Sequence, residues 1–327
     1  MSTLTLLFVL SFYDGSGSLP LVYKTLDGMH TAIRGSGKWA GKTLPQAELI
    51  SMCDHLNQPL FPDVETWLAS TTNIAIMREE DIKKFAQEAG IQVADGKHAV
   101  KGWIKESIAW KSPPTVVDKA TANGAAQVAQ IKDYETFILN TYSRPIIQIK
   151  AKDDQWQIYA TTWPAATEDY NAAIKMASKL TNDINYAAAG FKKRTSEKIA
   201  QAEVLELPMF KNQYNGAFDE LKSLFVFTES SQTFIVSNAA RLGSVALTPE
   251  GYMVNDQLMI AGSFDFLTFE PKFFEDEDPF RMPGGRGSAE KIETDYLQKD
   301  PILVWICRQG YQFPIFVSLF GITGSGS

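Results

Sequence analysis

Two apolar runs near the C-terminus, Pro301–Cys307 and Phe313–Phe320, are separated only by Arg308–Gln312. Both faces of each run are apolar, which suits strands inside a sheet covered on both sides rather than at an edge. Such strands demand covering layers, and a chain of 327 residues can supply them. At that length about three quarters of the unfolded surface can be buried, with no need of a metal or disulfide staple. Arg308, Gln309 and Gly310 also interrupt what would otherwise pass for a membrane span between Ile302 and Phe320.

Further strand signals recur along the chain. Residues 3–13 are rich in β-formers and stop at Asp14-Gly15. Leu21–Leu26 and Thr31–Arg34 flank Asp27-Gly28, a dipeptide favoured in tight hairpins because it tolerates positive φ. Pro145–Lys150 and Gln155–Trp163 alternate on either side of Asp153-Asp154. Beyond residue 203 the pattern gives strands at Ser223–Glu229, Gln232–Ser237 and Ser263–Glu270, and a hairpin pairing Tyr252–Val254 with Leu258–Ile260 across Asn255-Asp256.

Helical spacing appears between these strands. Over 45–58, Pro45 suits the first turn, and Leu49, Ile50, Cys53 and Leu56 share one face. Helices are also predicted at 62–69, at 124–141, and at 79–89, where Glu79, Glu80 and Asp81 form an acidic first turn and Gly90 follows. The longest runs over 164–189, from Pro164 to a stop at Gly190, with a seam of Tyr170, Ala173, Ala177, Leu180, Ile184 and Ala187. The sum is an α+β protein: antiparallel, hairpin-rich sheets packed with one long and several short helices. Lys111-Ser112-Pro113-Pro114 is the candidate boundary between an N-terminal α+β region, 1–112, and a C-terminal one, 113–327, that carries the long helix and the strand-rich end; a single domain is the alternative.

The catalytic inventory is sparse. His30, His55 and His98 lie far apart, and none has a second ligand at metal-binding spacing. Cys53 and Cys307 are solitary, which suits two buried, unpaired thiols in a reducing compartment. No catalytic residue, metal ligand or cofactor is expected on this count. Asp14, His30, Arg241 and Asp265 could meet in a site only through folding.

The net charge of −7 does not suit a general nucleic-acid binder. The best basic run, Lys192-Lys193-Arg194 with Lys198, is short and is followed by Glu203 and Glu206. The apolar stretch Leu4–Leu10 has no basic residue before it and no small-residue cleavage site after it, so it does not read as a signal peptide. A cytoplasmic or virion location follows as an expectation.

Two segments could carry contacts. Gly35-Ser36-Gly37-Lys38-Trp39-Ala40-Gly41-Lys42-Thr43 ends like a phosphate-binding loop, with Lys42 and Thr43 as its cofactor-binding candidates. However, Ser36 stands where the motif needs its first glycine, Trp39 fills the tight part, and Pro45 follows two residues later. A surface loop is the simpler reading. The second segment, 271–288, holds Glu275-Asp276-Glu277-Asp278, flanked by Phe273, Phe274 and Phe280, then Arg281 and Arg286 among prolines and glycines. Four adjacent carboxylates repel and favour an extended, solvated segment, while the aromatics suit docking on a neighbour. These residues are the partner-contact candidates.

On these grounds the expected role is a non-enzymatic structural or assembly subunit of a multi-subunit complex, such as a virion-type or capsid-like component, with protein partners and a homo-oligomeric state. The alternatives are a phosphoryl-transfer or nucleotide-binding enzyme using 35–43, and a nucleic-acid-binding subunit using the basic run.

Overall fold

After Ser18 the apolar residues Leu19, Val22, Leu26 and Met29 recur at steps of three and four, and all are buried. That spacing winds the chain into a helix, α1 (Leu19–Ala32). The Ser18 side chain accepts a hydrogen bond from the Leu21 amide at 3.3 Å, and Pro20 lies in the first turn, so the start is capped. The hairpin expected over Leu21–Leu26 and Thr31–Arg34 is therefore absent. Asp27-Gly28 sits inside the helix because the helical stripe, and not the turn dipeptide, buries the apolar residues.

The computed structural model describes residues 3–5, 10–12, 18–56, 72–121, 124–162, 170–190, 196–198, 204–265, 302–309 and 313–322. Besides α1 these residues form α2 (Leu44–Leu56), α3 (Glu79–Glu88) and α4 (Tyr170–Ala188). The first strands are β1 (Thr3–Thr5), β2 (Leu10–Phe12), β3 (Gly35–Ala40), β4 (Thr72–Ile76), β5 (His98–Ala109) and β6 (Thr115–Thr121). Then come β7 (Gly124–Ile131), β8 (Tyr134–Leu139), β9 (Tyr142–Lys150), β10 (Trp156–Thr162), β11 (Ser196–Lys198) and β12 (Val204–Pro208). The last are β13 (Phe210–Ala217), β14 (Phe225–Thr228), β15 (Thr233–Thr248), β16 (Gly251–Asp265), β17 (Ile302–Arg308) and β18 (Phe316–Ile322). The fold is α+β with antiparallel sheets, the class that the sequence pattern implies.

Three sheets organise the chain. The first has the order β1-β12-β7-β6, the second β11-β8-β9-β10-β17-β18-β2, and the third β3-β14-β15-β16-β5-β4, with β13 pairing the second half of β15. β1 and β12 run parallel; the other pairings are antiparallel. β17 lies between β10 and β18, in the sheet interior where its two apolar faces belong. On one face Cys307 meets Thr181 of α4. On the other, Ile306 and Phe316 line a small void with Ile104 and Val254 of the third sheet. α1 packs against β4, β5 and β16, with Thr25 so near Gly102 that any side chain there would collide with its hydroxyl. On the opposite face of the third sheet, Ile82, Phe85 and Ala89 cover Ala99, Ala240, Met259 and Ala261.

Several sequence expectations are corrected here. Residues 3–13 contribute two strands to two different sheets. Residues 124–141 form β7 and β8 instead of a helix, because Val128, Ala129 and Ile131 are buried in sheet pairings. The stretch 91–121, which carries no clear sequence signal, holds the 12-residue β5. Asn255-Asp256 is no turn. β16 runs straight through it, and the chain reverses at Pro249-Glu250 between β15 and β16. The hairpin of β9 and β10, helices α2 and α3, the end of α4 at Gly190 and the strands β17 and β18 match the sequence reading. The predicted helix 62–69, the start of the long helix over 164–169, the basic run 192–194 and residues 266–300 lie outside the described residues.

Candidate functional site

The third sheet is built around one long hairpin. β15 and β16 pair over their whole length, and β16 then pairs with β5 over 12 residues, so both edges of β16 are hydrogen-bonded. The face of β16 that meets α1 reads Tyr252, Val254, Asp256, Leu258, Ile260, all buried. One charge stands in an otherwise apolar column.

That charge is matched. Arg241 on β15 donates from Nη2 to Asp256 Oδ2 at 2.8 Å, and the Ser18 amide donates to the same oxygen at 3.1 Å. The Asp256 side chain is fully buried and that of Arg241 is 7% exposed. Aromatic rings flank the guanidinium: the Phe218 centroid is 4.9 Å away and the Tyr214 centroid 5.6 Å. Planar, weakly hydrated guanidinium suits such stacking. Tyr214 reaches this place because Gly243, opposite it in register, leaves the room a side chain would take. The pair ties three elements together and presents no reactive group to solvent. Of the four residues that folding could have united, Arg241 belongs to this cluster, and the Asp265 side chain is not among those described. His30 is instead hydrogen-bonded to the Gly37 carbonyl at 3.0 Å. Asp14 lies outside the described residues.

A second charged residue faces the seam between the second and third sheets. Glu106 of β5 borders the void formed with Ser18, Ile108, Trp156 and Ile315. Burial raises its carboxyl above the ordinary range, and Arg308 works in the opposite direction. Arg308 also lies over the Trp156 ring at 5.6 Å.

Lys42 and Thr43 are used locally. Their amides donate to Gln46 Oε1 at 2.7 and 3.2 Å, and Thr43 Oγ1 accepts from the Gln46 amide at 3.3 Å. Thr43 is thus a helix cap for α2, and Gln46 is held in turn by the Lys222 carbonyl. Gly35–Ala40 is strand β3, paired with β14, in place of the expected surface loop. Cys53 and Cys307 are buried and unpaired, as expected. Burial pushes the Cys53 thiol well up and that of Cys307 up to about 12. Lys198 of the basic run is paired with Glu135 at 3.1 Å, and Lys150 shares the same carboxylate at 2.7 Å. Among the described residues no three His, Cys, Asp or Glu side chains are grouped to hold a metal, and no helix is long and apolar enough to cross a membrane.

The partner-contact candidates Phe273, Phe274, Glu275, Asp276, Glu277, Asp278, Phe280, Arg281 and Arg286 lie outside the described residues, but their anchors do not. The segment leaves β16, held between β15 and β5, and returns as β17, held between β10 and β18 in another sheet.

No protein-family model matches the chain, and no curated protein is significantly similar to it. Similar solved structures include serpins. A cleaved serpin 42Da shares 9% identity at a TM-score of 0.46, covering 94% of this chain and 97% of its own. A cleaved, loop-inserted ovalbumin gives 9% identity and 0.44, covering 93% and 99%. A myxomaviral serine protease inhibitor gives 10% and 0.40, covering 74% and 92%. These likenesses assign no residue of this chain a role. They are not to virion or capsid components, and the expected virion-type assembly subunit is set aside, together with its homo-oligomeric state. The expected cytoplasmic or virion placement is likewise set aside.

Proposed function

We propose that this chain binds a protein partner, of the protease class, through residues 271–288. The observation that carries this reading is the double anchoring of the segment. Each end continues into a strand paired on both sides, and the two strands belong to different sheets. A backbone cut between them therefore leaves both fragments held in the fold. The sequence of the segment fits a protease. Arg281 and Arg286 stand among Met282, Pro283, Gly284, Gly285, Gly287 and Ser288, and small or polar residues of this kind mark preferred sites of nicking. Glu275–Asp278 cannot be buried unpaired without a cost of several kcal/mol each, so they suit either water or a basic partner surface. The myxomaviral protein is described as a serine protease inhibitor; for this chain the support comes from its own tethered segment.

Titration of a trypsin-like protease with the purified protein tests the proposal. Residual protease activity should fall as the chain is added, and Arg281→Ala with Arg286→Ala should relieve the effect. Unchanged protease activity at a large molar excess would count against it.

A further inference from the structure

The inner face of β16 poses a register problem. Strand register is set by which side chains face the core, and a slide of two residues keeps every side chain on its own face. On this face a slide would exchange Tyr252, Val254, Leu258 and Ile260 for one another, all hydrophobic, with the Tyr252 hydroxyl, near Ser318, as their one polar group. The opposing column on β15 (Ala239, Arg241, Gly243, Val245, Leu247) is equally permissive except at Arg241. Apolar burial alone therefore discriminates poorly between the observed ladder and its two-residue neighbours.

We propose that Asp256 is the register lock of the central hairpin, holding β16 at one position against β15 and α1. Its partner in register is Gly243, and Arg241 reaches it diagonally from the position opposite Leu258. Sliding β16 so that Asp256 stands opposite Val245 moves Arg241 to face Ile260 and leaves both charges buried and separated. A slide in either direction also carries Asp256 about 7 Å from the Ser18 amide, at roughly 3.3–3.4 Å per residue. Val254 or Leu258 would then stand under the capped end of α1, and neither side chain accepts a hydrogen bond. An uncompensated buried charge is among the costliest errors a fold can make, so one ion pair outweighs a column of tolerant apolar contacts. The lock also fixes the position of β16, from which the chain continues into residues 266–301. This positioning role stands whether or not that segment meets a protease.

Cysteine trapping reads the register. On the opposite face Gln257 is paired with Leu242, and the two-residue slide would pair it with Ser244. In the native background the Gln257→Cys, Leu242→Cys pair should form a disulfide and the Gln257→Cys, Ser244→Cys pair should not. Adding Arg241→Met and Asp256→Leu should raise the slipped disulfide to at least a tenth of the native yield while the protein stays folded. If that variant does not fold, Asp256→Asn, which keeps the shape and removes the charge, carries the same reading. A slipped disulfide at background level in the folded variant overturns the proposal.

Discussion

Arg241 Nη2 sits 2.8 Å from Asp256 Oδ2 across the β15–β16 ladder, with both side chains out of solvent. A buried pair of this kind is costly to break and cheap to replace, because removal of one partner strands the other charge. Asp256→Ala should lose about 3–5 kcal/mol in urea denaturation, whereas Arg241→Met with Asp256→Leu should lose far less or gain. Equal losses for the single and double variants would mean that the two charges do not act together.

Gly243 has a separate role beside that pair. A side chain there would run into the Tyr214 ring. Gly243→Ala should therefore cost about 1–3 kcal/mol through overpacking, and Tyr214→Ala in the same chain should recover part of it. Full stability of Gly243→Ala in thermal unfolding would contradict this packing.

Glu106 gives the stability a defined pH dependence. Burial raises its folded-state pKa, so the native chain holds that proton more tightly than the unfolded chain does. Its contribution is fully present below the ordinary glutamate range, about 4.3, and is lost as pH rises through the raised value. Glu106→Gln should melt higher than the parent at pH 7, with the difference closing near pH 4. A difference that grows on acidification would have the wrong sign.

Burial raises both cysteine thiols, so the reactive thiolate is scarce at neutral pH. Ellman's reagent at pH 8 should label neither Cys53 nor Cys307 quickly in the native protein and should label both in urea. Rapid native labelling would show one of these positions to be open.

The sequence reading and the structure agree where a periodic run is short and cleanly bounded. Pro145–Lys150, Gln155–Trp163 and the two C-terminal strands are of this kind, and their registers follow directly. They part where local chemistry competes with burial. Asp27-Gly28 is a good turn dipeptide, yet Leu19, Val22, Leu26 and Met29 bury more surface on a helix. Asn255-Asp256 resembles a turn for the same reason, although the alternation Tyr252, Val254, Asp256, Leu258, Ile260 continues through it. Reading that column unbroken would have marked Asp256 as a buried acid in need of a cation. Its partner Arg241 is 15 residues distant in sequence, and the two meet only because the reversal falls at Pro249-Glu250. Ser18, Tyr214 and Phe218 come from further still, and no local pattern joins them.

Limited trypsin digestion with mass mapping tests the central claim most directly. The first cut should fall after Arg281 or Arg286, and the two fragments should co-elute as one species, because β16 and β17 anchor the flanks in separate sheets. A first cut elsewhere, or separation of the fragments under native conditions, would contradict the account.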